Sequence, residues 1–316
     1  MSFLSSPGVH VREIDLTNVV PSVATTVGAI AGPFERGPVS SVTTIGSEQE
    51  LVQLFGKPNG SNFEWWFTAA NFLQYSDQLK VVRTESGILN AGANSGILIR
   101  DDDHYEGSFA SGQGSHGEWA ARSAGTWGNS IGVSLCPSAT AYEQHMGTDN
   151  LVNGAASAGA TSITVDDADK ANFAFQVGDL ISFSSANSSS DVTAFAHLAG
   201  DEGNEYEVTA ISTNALTIRL KDDPNGAGLK AAIADDSFIR RRWRFYDLFD
   251  GAPGTSDWAT DNGRGSGDEL HVAVYDATGD ITGYDNDVAG ARTSSVIETY
   301  GNMSKNPSAK TAQGGN

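Results

Sequence analysis

The sequence predicts an α+β multidomain chain, in which a small α/β domain with an N-terminal strand that pairs outside it is joined to an inserted all-β barrel or sandwich module. Both strand and helix patterns occur up to Thr84, whereas short strands separated by Gly, Ser, Asn and Asp dominate after it. The length of 316 residues is enough for two or three domains, each with its own core.

The first element is an isolated strand pattern in the stretch SPGVHVREIDLTNVVPS. Val9 and Val11 alternate with polar residues, the phase then shifts to Ile14 and Leu16, and Pro21 ends the run. No turn dipeptide folds this strand back into a hairpin. Because an unpaired apolar strand is an aggregation hazard unless it docks, we expect these four apolar residues to enter another sheet.

The next segments predict the order β-β-α-α-β. Strands are expected at 27–30 and 39–45, and a third at 79–83. Two capping boxes, Ser47–Glu50 and Ser61–Glu64, are expected to start the two helices. The second helix carries a wide apolar stripe, of which Phe63, Trp66 and Phe67 are predicted to be core. This layer is too small to close its own core, so later elements are expected to complete it.

The region after residue 85 predicts mainly short strands. Residues 92–117 are typical of a loop, and the acidic groups 101–103 and 166–167 are typical of solvated turns because the calcium-loop frame is absent. A helix is predicted at 291–300. Strands are predicted at 131–135, 162–165, 180–183, 206–211, 216–220 and 270–275, with a hairpin or meander turn around Ser212-Thr213-Asn214.

Charge and cysteine content exclude some classes of function. The 39 acidic and 19 basic residues give a net charge of −20, which repels nucleic acid and anionic lipid. A single cysteine excludes an intrachain disulfide framework. The chain begins without the pattern of a secretory signal, and no apolar stretch has the length needed to span a bilayer.

Few residues are candidates for catalysis, cofactor binding or metal binding, and we predict none of these sites. Glu269 and His271 share one face of a strand, but two ligands are too few for a metal site. Cys136 is expected to be a small buried side chain. The stretch GTWGNSIG precedes a strand rather than a helix, so a tight turn is favoured over a phosphate-binding loop; no P-loop or H-E-x-x-H motif occurs.

One basic run interrupts the acidic sequence: Arg240, Arg241, Arg242 and Arg244 surround Trp243. The run could bind phosphate or nucleic acid through stacking. Its alternation also suits a strand that meets an acidic surface of the same or the next subunit. The net charge of −20 favours this second hypothesis, a possible intersubunit charge contact.

Several segments, in order, resemble the contractile-tail sheath proteins of bacteriophages and related injection machines. The resemblance covers about 1–84, 118–136 and 268–316. The matching segments are SPGVHVREID, VPSVATTVGAIAGPFERGPV, FGKP, FEWWFTAANFLQYSDQLKVVRT, ARSAGTWGNSIGVSL and GDELHVAVYDATGDITG, followed by the SK…AK…GG tail.

The resemblance implies a non-enzymatic virion subunit that polymerises around a tail tube and contracts to drive genome delivery. The N-terminal strand would join a neighbour's sheet, and such head-to-tail exchange generates rings or open helices. The implied partners are other copies, the tail tube protein, and baseplate and tail terminator proteins, without direct nucleic-acid contact or membrane insertion. Assembly would take place in the host cytoplasm. The alternative is a secreted or surface β-rich binding or adhesion module.

The resemblance also suggests a division of the chain. In the family a C-terminal region follows that rebuilds the inner domain, whereas this sequence stops in GGN. We expect a linker arm at 1–22, the first part of the inner α/β domain at 23–84, a middle α/β protrusion domain at 85–149 and 241–316, and the inserted module at 150–240.

Overall fold

The computed structural model describes residues 26–84, 86–109, 114–171, 174–185, 195, 197–223, 225–285 and 288–310. Contacts divide the chain into two compact units, on either side of the Gly125–Thr126 bond.

The first unit contains a three-stranded sheet and two helices. In chain order these are β1 (Gly28–Gly32), β2 (Val42–Ile45), α1 (Glu48–Phe55), α2 (Phe63–Leu73) and β3 (Leu79–Arg83). The sheet order is β1-β3-β2, with β1 parallel and β2 antiparallel to β3. The predicted β-β-α-α-β order is therefore confirmed. All strands of this sheet come from residues 28–83, so the expected completion by later strands is not found in the described part of the chain.

Helix α2 buries a narrower face than the sequence predicts. Trp66, Ala69 and Ala70 are buried, and the Trp66 indole donates to the Gly56 carbonyl at 2.9 Å. Phe63 and Phe67 are 48% and 51% exposed, so their assignment to the core is wrong within the described residues. The buried face of the helix includes the small side chains of Ala69 and Ala70, and Phe63 and Phe67 lie to one side of this face.

Two glycines of β1 explain the approach of α2 to the sheet. A Cβ atom at Gly32 would lie 2.8 Å from Trp65 Cβ, and one at Gly28 would lie 2.5 Å from Phe72 Cζ. Both distances are shorter than real side chains tolerate. Glycine is therefore required where these aromatic rings cross β1.

The two predicted capping boxes have different outcomes. Ser47 Oγ accepts from Glu50 N at 3.2 Å, and Glu50 Oε2 accepts from Gly46 N at 2.8 Å, which confirms the first. The second is wrong, because the N-cap of α2 is Asn62 and not Ser61. Asn62 Oδ1 instead accepts from Asn59 N at 2.7 Å, which stabilises the turn before the helix.

A short helix, α3 (Asp102–Ser108), lies within the segment predicted as loop. Asp101 Oδ1 caps it by accepting from His104 N at 2.8 Å. Asp102 and Asp103 fall in its first turn, where carboxylates interact favourably with the positive end of the helix dipole. The acidic triplet is thus a helix start rather than a solvated turn.

The second unit contains two sheets. Its elements are β4 (Ile131–Cys136), α4 (Ala139–Tyr142), β5 (Glu143–His145), β6 (Ser162–Thr164), β7 (Leu180–Ser184), β8 (Tyr206–Ser212), β9 (Ala215–Leu220), β10 (Phe238–Arg242), α5 (Asp257–Asp261), β11 (Glu269–Asp276) and β12 (Val296–Ser304). The six strands predicted after residue 85 are all present, and β8 and β9 form the predicted hairpin.

The larger sheet has the order β5-β10-β7-β8-β9-β6 and is antiparallel throughout. Isolated bridges join Leu151 to Phe238 and Val152 to Val165, near the two ends of the sheet. No continuous strand pairing closes it within the described ranges, so the predicted barrel is wrong and the module is an open sheet. Its core includes Val165, Phe183, Tyr206, Val208, Leu216, Ile218 and Ile239.

The smaller sheet has the order β12-β11-β4. Strand β12 occupies the second half of the helix predicted at 291–300, and residues 292–295 form a turn, so the predicted helix is wrong. It pairs antiparallel with β11, and the ladder contains register shifts. Just beyond the predicted helix, Gly301 and Asn302 are poor helix formers, and Asn302 has a positive φ of 52°, which a helix does not accommodate.

Candidate functional site

The sequence predicts two assembly features, the N-terminal arm and the basic run, and the structure describes only the basic run. Val9, Val11, Ile14 and Leu16 of the N-terminal arm lie outside the described residues. The four arginines lie inside them, on and directly after β10.

Strand β10 distributes its arginines over two faces of the sheet. Arg241 Nη1 lies 3.4 Å from Asp179 Oδ2 and donates to the Ala174 carbonyl at 2.9 Å. Arg240 and Arg242 alternate with it and contact Glu143 and Glu205 instead. The predicted strand alternation through the basic run is confirmed for these three residues.

Arg240 and Arg242 both lie beside Glu143 and Glu205, but only Arg242 forms hydrogen bonds with these carboxylates. Its Nε donates to Glu143 Oε2 at 2.8 Å and its Nη1 to Glu205 Oε1 at 3.0 Å. The nearest carboxylate oxygens to Arg240 lie farther away, at 3.9 Å for Glu143 and 3.7 Å for Glu205. Arg240 donates from Nε to Ser182 Oγ at 3.0 Å.

Glu205 and Lys221 connect the arginines of β10 to the segment after this strand. Glu205 Oε2 accepts from Tyr246 Oη at 2.7 Å and from Lys221 Nζ at 3.2 Å, and Lys221 Nζ also lies 3.2 Å from Asp247 Oδ2. Burial would raise the pKa of Glu205, but hydrogen bonds from Tyr246 and the charges of Lys221 and Arg242 outweigh it and lower that pKa. Glu205 is therefore ionised at neutral pH.

Two histidines flank a phenylalanine beside Arg240. The rings of His145 and His197 lie 5.3 and 5.0 Å from the Phe195 ring, over which the Arg240 guanidinium lies at 4.5 Å. Burial lowers the pKa of both histidines, and the charge of Arg240 acts in the same direction. Both rings are therefore neutral at pH 7.

Each of the predicted contact arginines is thus engaged within its own chain. Arg244 completes the set, with Nη2 3.3 Å from Glu207 Oε1. Sequence reasoning identified the arginines but not their partners, which lie up to 99 residues away. An additional contact of these arginines with a neighbouring subunit stays a prediction.

His271 is buried, with both ring nitrogens occupied. Nδ1 accepts from Asn302 N at 3.0 Å, so Nε2 carries the proton and donates to the Gly251 carbonyl at 2.9 Å. The ring stacks on Phe249 at 4.4 Å. The histidine is a satisfied core residue, as the sequence predicts.

Cys136 is buried beside Tyr142 and Trp243. Burial raises the pKa of its thiol to about 11, which keeps it protonated and unreactive at neutral pH. Among the described residues, no group of three or more His, Cys, Asp or Glu side chains could hold a metal ion. A search of the same residues found no helix with the length and apolarity of a membrane span.

One motif was missed in the sequence. The stretch Gly128–Gly132, GNSIG, matches the G-x-S-x-G pattern of hydrolase nucleophiles. Its serine precedes β4, whereas a nucleophile elbow follows its strand. Ser130 is buried and donates to the buried carboxylate of Asp276. The motif therefore has a structural role here.

Parts of this chain are similar in sequence to known proteins. The tail sheath protein of Vibrio phage KVP40 is 37% identical over 112 residues, which are 31% of this chain and 17% of that protein. That of Enterobacteria phage T4 is 36% identical over 80 residues, 25% of this chain and 12% of the relative. This chain is similar to phage tail sheath proteins. The resemblance predicted from the sequence segments is confirmed.

A third tail sheath protein, from Salmonella phage ViI, is 32% identical over 142 residues, which are 44% of this chain and 22% of the relative. The matched segments thus span less than a quarter of the length of these sheath proteins. All three relatives bear the name of a structural protein, and none bears that of an enzyme. No family model matches the chain.

Proposed function

We propose that this chain is a structural subunit of a contractile virus tail sheath, which polymerises around the tail tube. The observation that carries the proposal is the similarity to three phage tail sheath proteins. The proposed site of action is the virion tail, after assembly in the host cytoplasm. Its proposed partners are other copies of the chain, the tail tube protein, and baseplate and terminator proteins.

The proposed means of polymerisation is donation of the N-terminal strand to a neighbour. Main-chain hydrogen bonds would hold the strand, and alternate side chains would fill pockets of the recipient. In the first unit, β1 and β2 are the two edge strands of the sheet. An edge strand offers unpaired backbone groups to an incoming strand, which supports the exchange.

Contraction is the second part of the proposed function. Rigid-body rotation and outward movement of the subunits would drive genome delivery while the arms keep neighbours linked. New burial and charge pairing between subunits would supply the free energy. Arg240, Arg241, Arg242 and Arg244 are proposed to take part in such charge contacts.

Electron microscopy of the purified 316-residue chain tests the assembly proposal. We expect rings or tubes from the wild type, and folded monomers after deletion of residues 1–20. The double variant Val9→Asp/Val11→Asp should also stay monomeric because it would place charges in apolar pockets, whereas His10→Asp, on the other face of the predicted strand, should assemble. A monomeric wild type would contradict the sheath role. Unchanged assembly of the double variant would contradict strand donation alone.

A further inference from the structure

A cavity of about 420 Å³ opens beside β10 in the second unit. The described residues that line it carry three permanent cations, Lys221, Arg240 and Arg242, and one carboxylate, Glu205. In a chain with a net charge of −20, such a basic lining needs an explanation. The remaining described lining residues are His197, Gly203, Asn204, Leu220 and Tyr246.

Three hydrogen-bond donors of the lining have no acceptor among the described residues. The Arg240 side chain is 7% exposed, and its carboxylate neighbours at 3.7 and 3.9 Å are beyond hydrogen-bond distance of its Nη atoms. Arg242 donates hydrogen bonds from Nε to Glu143 and from Nη1 to Glu205. Within the described residues, Arg240 Nη1, Arg240 Nη2 and Arg242 Nη2 donate no hydrogen bond.

Both carboxylate oxygens of Glu205, by contrast, already accept hydrogen bonds. Glu205 accepts from Arg242, Lys221 and Tyr246 at 3.0, 3.2 and 2.7 Å. A group that only accepts satisfies the unused donors.

The lowered pKa of Arg240 indicates that its positive charge is only partly compensated. Burial and the charge of Arg242 lower its pKa, and the opposing effect of Glu143 and Glu205 does not compensate for them. His197 Nδ1 is also buried without a hydrogen-bond partner among the described residues. The guanidinium is thus desolvated without full charge compensation.

We propose that this cavity binds an oxyanion, a carboxylate or phosphate group, through the forked donors of Arg240 and Nη2 of Arg242. A guanidinium presents its donors in the planar geometry that such groups accept. The proposal does not depend on the sheath role. The anion is either a free small molecule or an acidic side chain of a second copy.

Calorimetric titration of the full chain with phosphate, and separately with succinate, tests this at constant ionic strength. We expect saturable binding of at least one anion to the wild type. Arg240→Lys keeps the charge but loses the fork, so affinity should fall about tenfold or more. Arg264→Gln, at an exposed position away from the cavity lining, is the matched control and should bind like the wild type.

If Arg240→Lys does not fold, Arg242→Lys provides the same comparison. Light scattering distinguishes the two sources of the anion, because added phosphate lowers self-association only if a carboxylate of a second copy occupies the cavity. Absence of binding to the wild type, or equal affinity of the wild type and the folded lysine variant, would overturn the proposal.

Discussion

The guanidinium of Arg292 forms two parallel hydrogen bonds with the carboxylate of Asp247, at 2.9 Å from Nη1 to Oδ1 and 2.7 Å from Nη2 to Oδ2. Arg292 is 2% exposed and also donates to the Arg244 carbonyl. Burial opposes its charge, but the hydrogen bonds and charge of Asp247 outweigh this and raise the pKa of Arg292. The pair ties the segment after β10 to the segment before β12.

Asp247→Asn should destabilise the chain by about 3 kcal/mol, because it leaves a buried guanidinium with too little compensating charge. Urea unfolding measures the loss. Asp261→Asn, at an exposed position in α5, is the control and should change the stability by less than about 0.5 kcal/mol. Equal stability of both variants would show that the pair contributes nothing net.

The N-cap of α1 gives a matched pair of serines. Ser47→Ala should cost about 1 kcal/mol, because the Glu50 amide loses its acceptor. Ser61→Ala should cost much less, since Ser61 does not cap α2. Thermal unfolding of both variants measures the difference. A larger loss for Ser61→Ala would contradict the observed cap positions.

Short-range patterns in the sequence predicted much of the fold. The cap at Ser47, the β8–β9 hairpin and the strand character of the arginine run depend on residues only a few positions apart, so they can be read locally. Partners distant in the chain could not be predicted in this way. Ser130 and Asp276 are 146 residues apart, and nothing local to either one indicates the pairing.

Two predictions from the sequence were wrong because the sequence pattern does not determine burial or strand pairing. The aromatic stripe of α2 predicts an apolar face but not how much of that face the rest of the chain covers, so Trp66 was predicted correctly and Phe67 was not. The sequence predicts a helix at 291–300. Its second half, from Val296 to Tyr300, pairs with β11 as a strand, because tertiary contacts override weak propensity.

Asp276 organises the turn that follows β11. Its carboxylate accepts from the amides of Gly279, Ile281 and Thr282 at 2.9, 2.8 and 2.6 Å and from the Ser130 hydroxyl. Burial would raise the pKa of Asp276, but these hydrogen bonds lower it to about 2. The stability it contributes is therefore present above its usual value of 3.8 and is lost as the pH falls through about 2.

Asp276→Asn should cost about 2–4 kcal/mol at pH 7, because one amide oxygen cannot replace two carboxylate oxygens and the new NH₂ group faces donors. Hydrogen exchange at the Ile281 and Thr282 amides should accelerate. Asp280→Asn, four residues along and exposed, should leave both amides protected. Unchanged exchange in Asp276→Asn would refute the assigned role.

Asp179 gives the opposite dependence on pH. Burial raises its pKa to about 6 from a usual 3.8, although the charge of Arg241 opposes the shift. Between these values the native state holds more protons than the unfolded state. The stability contributed by the protonated carboxyl is therefore present below about pH 4 and is lost as the pH rises through about 6.

Asp179→Asn cannot ionise, so its stability relative to the wild type should increase by up to about 3 kcal/mol as the pH rises from about 4 to 7. The lost ion pair with Arg241 lowers the absolute stability at neutral pH, so the readout is the slope of the difference rather than its value at one pH. Urea unfolding across this range measures it. Asp169→Asn, at an exposed position, should run parallel to the wild type. Parallel curves for Asp179→Asn as well would show that Asp179 is ionised in the folded chain at no cost.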